Sequence, residues 1–280
     1  MKKAYIRFAV IAFALALILA GCGKAKSTSS NITIGSMGSD TDVWRYIAQS
    51  KEAKDAGLKI TVKDLTNVTS LNPATVSGNI DVNAFQTVDY LNAYNKAAKQ
   101  NLVPIATTYL EPLGIFSHKY KSLADVKDGA TVGIVNDPAN EARDLQLLAQ
   151  SGLIKLAPSF KAGTGSIKDI AANPKHLKFK EIDYSMGPRV LDSLDLVFIN
   201  NTTALEAGLN VLKDSVYREQ INATTKGSIN LLVTTKAKAK QADIKKLGKL
   251  YHSAFVQKYI KDKFQGTKVD VNKPLSYVEK

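Results

Sequence analysis

Short apolar or β-branched runs alternate with helical patterns along this chain, from residue 32 to residue 264. The runs predict strands near residues 32–35, 59–64, 103–107, 114–117, 131–135, 177–182, 194–199 and 229–235, and one more that ends near residue 83. Helices are predicted between them, near residues 41–56, 72–77, 87–100, 138–151, 167–172, 188–191, 202–207 and 241–264. This βαβ repetition predicts an α/β fold whose sheets are largely parallel and carry helices on both faces.

The alternation falls into two runs, the second of which begins near Lys121. An apolar content of 45% can bury a substantial core, and the two runs predict two α/β lobes with a ligand cleft between them. We divide the chain into a signal peptide (1–21), a tether (22–31), a first lobe (32–115 plus 226–280) and a second lobe (116–225).

Residues 131–143 (TVGIVNDPANEAR) join a strand directly to a helix. Asp137 is the predicted N-cap, and Pro138 occupies the first helical position. Such turns lie at the carboxyl edge of an α/β sheet, where ligands bind, and the free N–H groups of a helix start favour an anion. Arg143, about one and a half turns into the helix, is placed to point its guanidinium at the same spot. The alternative interpretation is an ordinary turn with a surface arginine.

The N-terminal region is typical of a lipoprotein signal. Three basic residues precede an apolar run of twelve residues, 8–19, which is too short to span a bilayer. The sequence Leu-Ala-Gly-Cys that follows is a lipobox ending at Cys22, the only cysteine of the chain. We therefore expect export and lipid attachment at Cys22, so that the protein is anchored to the extracytoplasmic face of the cell membrane. Residues 23–31 are polar and predict a flexible tether.

The formal net charge is +13, and nearly all of the positive charge is lysine, because the chain has only five arginines. Lysines scattered over a folded domain are typical of a solvated surface beside an anionic membrane. No basic stripe with interleaved aromatic residues occurs, so we expect no nucleic-acid partner.

The sequence gives little support for catalysis. His118, His176 and His252 are far apart, and no metalloprotease, nucleophile-elbow or Cys-x-x-Cys motif occurs. The turn 163–166 is glycine-rich but lacks the lysine of a P-loop, and Ser166 is better interpreted as an N-cap. We expect no catalytic residues, no metal site and no cofactor, and we interpret the histidines as surface or boundary residues.

Five segments carry a resemblance to a known family: 81–90 (DVNAFQTVDY), 109–116 (YLEPLGIF), 129–143 (GATVGIVNDPANEAR), 168–179 (KDIAANPKHLKF) and 191–209 (LDSLDLVFINNTTALEAGL). From residue 32 to about residue 259 the chain resembles the NlpA lipoprotein family, the substrate-binding lipoproteins of methionine ABC importers. The resemblance implies a bilobal periplasmic-binding-protein-like fold of type II and a monomer without enzymatic activity. It also implies docking onto a membrane permease with its ATPase.

The resemblance implies a set of polar side chains that bind the charged and polar groups of an amino acid. Arg143 matches the arginine that holds the ligand's carboxylate, and Asn140 lies beside it in the same helical turn. Asn200 matches an asparagine that contacts the polar end of the ligand, and Asn230 matches another on the strand that returns to the first lobe.

The resemblance also implies a side-chain pocket. Phe85 and Tyr90 match its aromatic positions, and Tyr109 and Glu111 lie in a neighbouring segment. Where the family commonly reads F-F-Q-H-x-P-Y-L, this chain reads A-F-Q-T-V-D-Y-L, so one aromatic residue and the histidine are missing. The expected ligand is methionine. The alternatives are a related amino acid, a methionine-containing dipeptide, or a role as a surface adhesin or antigen on the same fold.

Overall fold

The structure, a computed structural model, describes residues 30–220 and 223–278. The signal peptide and the predicted lipidation site at Cys22 lie outside the described residues. The strands are β1 (Ser30–Ser36), β2 (Leu58–Asp64), β3 (Val82–Thr87), β4 (Val103–Thr107), β5 (Tyr109–Leu110), β6 (Gly114–Phe116), β7 (Thr131–Val135), β8 (Lys155–Leu156), β9 (Ile170–Ala172), β10 (Lys178–Ile182), β11 (Leu196–Ile199), β12 (Tyr217–Arg218), β13 (Asn230–Thr234) and β14 (Val269–Asp270). The helices are α1 (Gly38–Gln49), α2 (Lys51–Asp55), α3 (Val68–Val76), α4 (Val88–Ala98), α5 (Pro138–Gln150), α6 (Asn201–Glu206), α7 (Val211–Asp214), α8 (Ala242–Tyr251) and α9 (Ala254–Phe264).

Two five-stranded sheets form the two lobes. The first has the strand order β2-β1-β3-β13-β4, and the second has the order β10-β7-β11-β6-β12. In each sheet the fourth strand runs antiparallel to both neighbours, β13 in the first and β6 in the second. Strand β6 enters the second sheet directly from the first lobe, and β13 returns to the first sheet after the second is complete. The chain therefore crosses between the lobes twice, and the predicted bilobal α/β fold of type II is confirmed.

Each sheet has an apolar core on both faces, as the alternation of side chains along its central strands requires. Along β13, Leu232 packs with Trp44 and Tyr251, whereas Leu231 and Val233 pack in a separate cluster with α4. In the second lobe, Leu196 and Phe198 of β11 pack towards α5, and the intervening Val197 and Ile199 pack towards α6 and α7. The continuous apolar runs in the sequence are therefore strands covered on both sides.

The cleft lies where the central strands of both sheets end. In the first lobe, β1 and β3 are parallel and finish at the edge where antiparallel β13 begins. In the second lobe, β7 and β11 finish at the edge where β6 begins. The lobes contact each other through α4 against α5 and α1 against α6, and the hydroxyls of Ser39 and Thr202 lie 3.1 Å apart. These contacts close the cleft on two sides.

Two predicted helices are interrupted, and a serine explains each break. The helix predicted at 41–56 is split at Ser50, and the helix predicted at 241–264 is split at His252 and Ser253. Both serines have extended backbone, and their hydroxyls donate to the carbonyls of Ile47 and Leu250, three residues back. A serine hydroxyl that donates to a carbonyl of the preceding helical turn competes with the main-chain hydrogen bonds that would continue the helix. The amphipathic pattern continues through both breaks, which is why the sequence predicted single helices.

The helix predicted at 167–172 is wrong. Ser166 caps a single 3-10 turn, Ile167–Asp169, through a capping box with Asp169, and residues Ile170–Ala172 then form β9, which pairs with β8. The pairing of β9 with β8 overrides the local helical signal.

Strand β6, which belongs to the second sheet, begins at Gly114. This is two residues before residue 116, where the sequence predicted the second lobe to begin. Within the described ranges, the structure contains no helix that is long and apolar enough to cross a bilayer.

Candidate functional site

A cavity lies in the cleft between the two sheets, and side chains from both lobes line it. All eight residues that the sequence predicted for the ligand site line it: Phe85, Tyr90, Tyr109, Glu111, Asn140, Arg143, Asn200 and Asn230. The structure adds seven more, Met37, Asp40, Val68, Gln86, Thr87, Tyr184 and Thr202. Both lobes contribute to the wall, so the cavity depends on their closure.

Arg143 is positioned by the strand-to-helix turn that the sequence predicted. Strand β7 ends at Val135, and Asp137 accepts a hydrogen bond from the main-chain N–H of Asn140 at 3.0 Å, which starts α5. The Asn140 side chain donates to the same carboxylate at 2.8 Å. Burial raises the pKa of Asp137, although these hydrogen bonds oppose the shift. Arg143 follows on this rigid support with only 13% of its side chain exposed.

The guanidinium of Arg143 is held by a partner that the sequence did not suggest. Its Nε and Nη2 donate to the two carboxylate oxygens of Glu219 at 3.2 and 2.5 Å, and Nη2 also donates to the main-chain carbonyl of Glu111 at 2.8 Å. Burial alone would lower the pKa of Arg143, but the Glu219 carboxylate outweighs it, so the pKa lies above the ordinary arginine value. Three of the five N–H donors are used. The two on Nη1 have no partner among the described residues.

A second ion cluster lies under the cavity floor. Lys268, whose side chain is fully buried, donates to Asp40 at 2.8 Å and to Glu111 at 3.0 Å. Tyr109 donates to Asp40 at 2.5 Å, and the Lys268 ammonium also lies 4.0 Å from the centre of the Tyr109 ring. Burial would lower the pKa of Lys268, but the two carboxylates raise it above its usual value. Tyr109 and Glu111 therefore belong to a buried ionic support, although both also line the cavity.

Glu111 connects this support to the second lobe. Its carboxylate accepts hydrogen bonds from the side chains of Asn201 at 2.9 Å and Thr202 at 3.2 Å, both in α6. Asn201 also donates to Thr267, next to Lys268. Residues from the start, the middle and the end of the chain thus meet at the crossover between the lobes and hold them in the closed arrangement.

The two other predicted asparagines differ in how they are bonded. The Asn200 side chain caps α6, since its Oδ1 accepts from the Thr203 N–H at 2.9 Å and its Nδ2 donates to the Thr203 hydroxyl at 2.8 Å. The Asn230 side chain is buried at the cavity wall and makes no hydrogen bond to any residue in the described ranges. Because buried amides are normally hydrogen-bonded, Asn230 is the amide best suited to bond a polar ligand.

Aromatic side chains form another part of the cavity wall. Phe85 and Tyr90 are half-buried, and their rings meet edge to face with centroids 5.6 Å apart. Tyr184, in the loop after β10, enters the cavity from the second lobe, and burial raises the pKa of its phenol well above the usual value. Burial likewise raises the pKa of Tyr90. These phenols stay neutral and supply an amphipathic surface for a side chain with apolar and polarisable parts.

The residues that the sequence missed are Glu219, Lys268, Asp40 and Tyr184. Asp40 lies in the first turn of α1, so an acidic residue beside a helix start was its only local signal. Lys268 is one lysine in a lysine-rich chain, and neither Glu219 nor Tyr184 stands in a motif.

The histidines lie apart, and each has an aspartate partner. His118 pairs with Asp192 and His176 with Asp128, both on exposed surfaces. His252 is nearly buried and lies between the carboxylate of Asp270 and the carbonyl of Thr107. In the part of the chain that the structure describes, no three histidine, cysteine, aspartate or glutamate side chains converge to hold a metal ion.

Two α/β lobes joined by two crossovers, with a polar and aromatic cavity closed between them, define a substrate-binding protein. The sequence model of the NlpA lipoprotein family matches residues 32–272, and this chain belongs to that family.

The D-methionine-binding lipoprotein MetQ of Salmonella typhimurium is 34% identical over 255 residues, which cover 89% of this chain and 92% of that protein. An uncharacterized lipoprotein of Bacillus subtilis, YhcJ, is 30% identical over 276 residues, which cover 98% of this chain and 96% of that protein. Among solved structures, a nutrient binding protein from Burkholderia cenocepacia bound to methionine is 37% identical with a TM-score of 0.80, covering 85% of this chain and 99% of that one. A Staphylococcus aureus protein, PG110, is 36% identical with a TM-score of 0.84, and the match covers 88% of this chain and 96% of that one.

Proposed function

We propose that this chain is the substrate-binding lipoprotein of an ABC importer, which captures methionine in the inter-lobe cleft on the extracytoplasmic side and delivers it to the permease and its ATPase. The observation that carries the proposal is the inter-lobe cavity, which is lined by a buried arginine, by aromatic side chains and by a buried asparagine whose side chain has no hydrogen-bond partner among the described residues. The relatives named for methionine point to the same ligand.

The cavity chemistry suits a zwitterionic amino acid. The Nη1 donors of Arg143, which have no partner within the described part of the chain, take the α-carboxylate, since a guanidinium and a carboxylate form strong charge-assisted hydrogen bonds. The Asn230 amide bonds the polar end of the ligand, and the edge-to-face pair of Phe85 and Tyr90 contacts the thioether, because sulfur packs well against aromatic rings. The carboxylates of Asp40 and Glu111 at the floor favour an ammonium over a second anion.

The lobes act as a clamp in this proposal. Their closed arrangement rests on hydrogen bonds through Glu111, Asn201 and Thr202 and on the contacts of α4 with α5 and of α1 with α6, so opening separates these helix pairs and breaks these hydrogen bonds. The closed form is the one offered to the permease. The work of the protein is binding and release, and no catalytic step is assigned to it.

Thermal unfolding with a panel of amino acids tests the proposal. A ligand present at a hundred times its dissociation constant stabilises the folded state by about 2.7 kcal/mol. For a protein of this size, that corresponds to a rise in melting temperature of roughly 5–11 °C. The panel contains L- and D-methionine, norleucine, alanine, methionine dipeptides and 3-(methylthio)propylamine, which lacks the carboxylate.

We expect a methionine enantiomer to stabilise the protein most, norleucine less, and alanine and the amine negligibly. A dipeptide that outperforms free methionine would change the substrate class while keeping the binding role. The absence of a shift with every member of the panel, in protein first unfolded and refolded to remove bound ligand, would overturn the proposal.

A further inference from the structure

The chain enters the first lobe at the edge opposite the cleft. The main-chain N–H of Ser30 donates to the carbonyl of Gly57 at 3.1 Å, and its hydroxyl donates to the carboxylate of Asp243. Strands β1 and β2 start together here and run towards the cleft, where β1 ends at Ser36. We call this edge the base and define it as residues 51–59 and 236–246.

The base is rich in lysine. Its two segments contain eight lysines, Lys51, Lys54, Lys59, Lys236, Lys238, Lys240, Lys245 and Lys246, against three carboxylates, Glu52, Asp55 and Asp243. Three of the lysines form ion pairs: Lys51 with Asp55, Lys238 with Asp81 and Lys246 with Asp243. The other five are exposed and form no ion pair with any residue in the described ranges.

Four of the five free lysines lie close to the point where the chain enters the lobe. Lys59 lies beside Asn31 in the β1–β2 register. The main-chain carbonyl of Lys54 accepts a hydrogen bond from the N–H of Gly57, the residue whose own carbonyl bonds Ser30. Lys240 and Lys245 flank Asp243, which Ser30 contacts. The positive charge is therefore concentrated around the attachment of the predicted tether.

The tether limits how far the base can lie from the lipid. The eight residues from Cys22 to Ser30 span at most about 29 Å even when fully extended. Anionic headgroups attract lysines within a Debye length of the surface, about 8 Å at physiological salt. The base is the part of the lobe that the anchor holds nearest to the bilayer, and its charge is opposite to that of an anionic leaflet.

We propose that the base of the first lobe rests on anionic phospholipid headgroups through these free lysines, with the cleft directed away from the bilayer. The inference rests on the lipid anchor at Cys22. Within the proposed importer, it describes a resting orientation in which the cleft is open to ligand before the protein turns to dock on the permease. It does not depend on which amino acid binds.

Vesicle binding of the lipid-free chain tests the proposal. The protein is the chain from residue 22 onward with Cys22→Ser, and the vesicles are phosphatidylcholine alone or phosphatidylcholine mixed with phosphatidylglycerol. The base variant carries Lys54→Gln, Lys59→Gln, Lys240→Gln and Lys245→Gln. The matched control removes four exposed lysines of the second lobe, Lys155→Gln, Lys168→Gln, Lys178→Gln and Lys180→Gln.

We expect the parent chain to cosediment with the anionic vesicles only, and to dissociate as salt is raised. A lysine at an anionic surface strengthens binding roughly five-fold, so two such contacts give about 25-fold and four give several hundred-fold. The base variant should therefore bind at least about ten-fold more weakly than the parent, and the control within about three-fold of it. Binding that falls equally in the two variants, or that is the same on neutral vesicles, would overturn the proposal.

Hydrogen exchange on the lipidated chain gives a readout that needs no variant. Peptides from 51–59 and 236–246 should exchange more slowly on anionic than on neutral vesicles, while peptides from β10 should not change. Equal exchange on both vesicles would refute the inference. A protein that binds no amino acid but keeps its lysine-dependent preference for anionic vesicles would refute the importer role and support the membrane orientation.

Discussion

Replacing Arg143 with alanine is the sharpest test of how the cleft recognises its ligand. The substitution removes the Nη1 donors assigned to the ligand carboxylate and the three hydrogen bonds to Glu219 and Glu111. It also leaves the Glu219 carboxylate, whose side chain is 9% exposed, without its counter-charge beside the cavity. That unpaired carboxylate repels an incoming α-carboxylate, so both effects weaken binding.

The magnitude follows from the burial of the pair. Truncating one partner of a buried, hydrogen-bonded charge pair typically costs about 2–5 kcal/mol. At about 1.4 kcal/mol per ten-fold, Arg143→Ala should raise the dissociation constant for methionine by roughly 30-fold to several thousand-fold. Arg143→Lys should recover only part of this, because an ammonium keeps the charge and loses the planar fork.

Variants of Glu219 distinguish the loss of the Nη1 donors from the repulsion by the unpaired Glu219 carboxylate. In the double variant Arg143→Ala with Glu219→Gln, the unpaired carboxylate is gone, so binding should recover part of the loss but not the share due to the missing Nη1 donors. Glu219→Gln alone should leave the affinity within about three-fold of the parent, since Arg143 remains to bind the carboxylate.

Isothermal titration calorimetry on refolded protein measures these affinities, and circular dichroism confirms that each variant is folded. The methionine analogue that lacks its carboxylate should bind poorly to the parent, and Arg143→Ala should not weaken its binding further. A folded Arg143→Ala protein that binds methionine within three-fold of the parent would place the carboxylate grip elsewhere and refute the role given to Arg143.

Three further outcomes are expected. Lys268→Met leaves the carboxylates of Asp40 and Glu111 buried without a counter-charge, so the melting temperature should fall by roughly 6–20 °C, from about 3–5 kcal/mol lost. Burial raises the pKa of Asp40, and the Lys268 ammonium opposes this rise, so the pKa of Asp40 should be higher still in Lys268→Met. A carboxyl group with a raised pKa stabilises the folded state at low pH, where it is protonated. Calorimetry should therefore show that Lys268→Met is destabilised less near pH 5 than near pH 8. Phe85→Ala should weaken methionine binding about ten-fold or more while the protein stays folded, because a thioether side chain loses an aromatic wall; unchanged affinity by titration calorimetry would remove Phe85 from the site. Cys22→Ser should release a ligand-competent protein from the membrane fraction, and retention there after signal processing would show a second attachment.

Local patterns in the sequence determined a large part of this protein. The strand-to-helix turn before Arg143 needs only a β-branched run, an aspartate N-cap and a following proline, all within a few residues, and the structure reproduces each. Gly152 and Gly208 follow the ends of their helices with positive φ, a conformation that glycine tolerates and that commonly ends a helix. The family resemblance then placed eight residues, and all of them line one cavity.

Local patterns failed where a side chain or a distant segment competed with them. The amphipathic run at 241–264 gave no sign that Ser253 would bond the Leu250 carbonyl and end α8. The helical signal at 167–172 was lost because residues Ile170–Ala172 pair with β8, a strand outside that window.

Only the tertiary structure decided which charges are buried. The neighbourhood of Lys268 in the sequence resembles that of many exposed lysines, yet its ammonium lies between Asp40 and Glu111, which are 228 and 157 residues away. Likewise, Glu219 meets Arg143 across 76 residues. Periodicity, caps and turns are set by interactions within a few residues, so a sequence reveals them directly. Burial of a charge depends on which remote segments the two crossovers bring together, and that is a property of the whole fold.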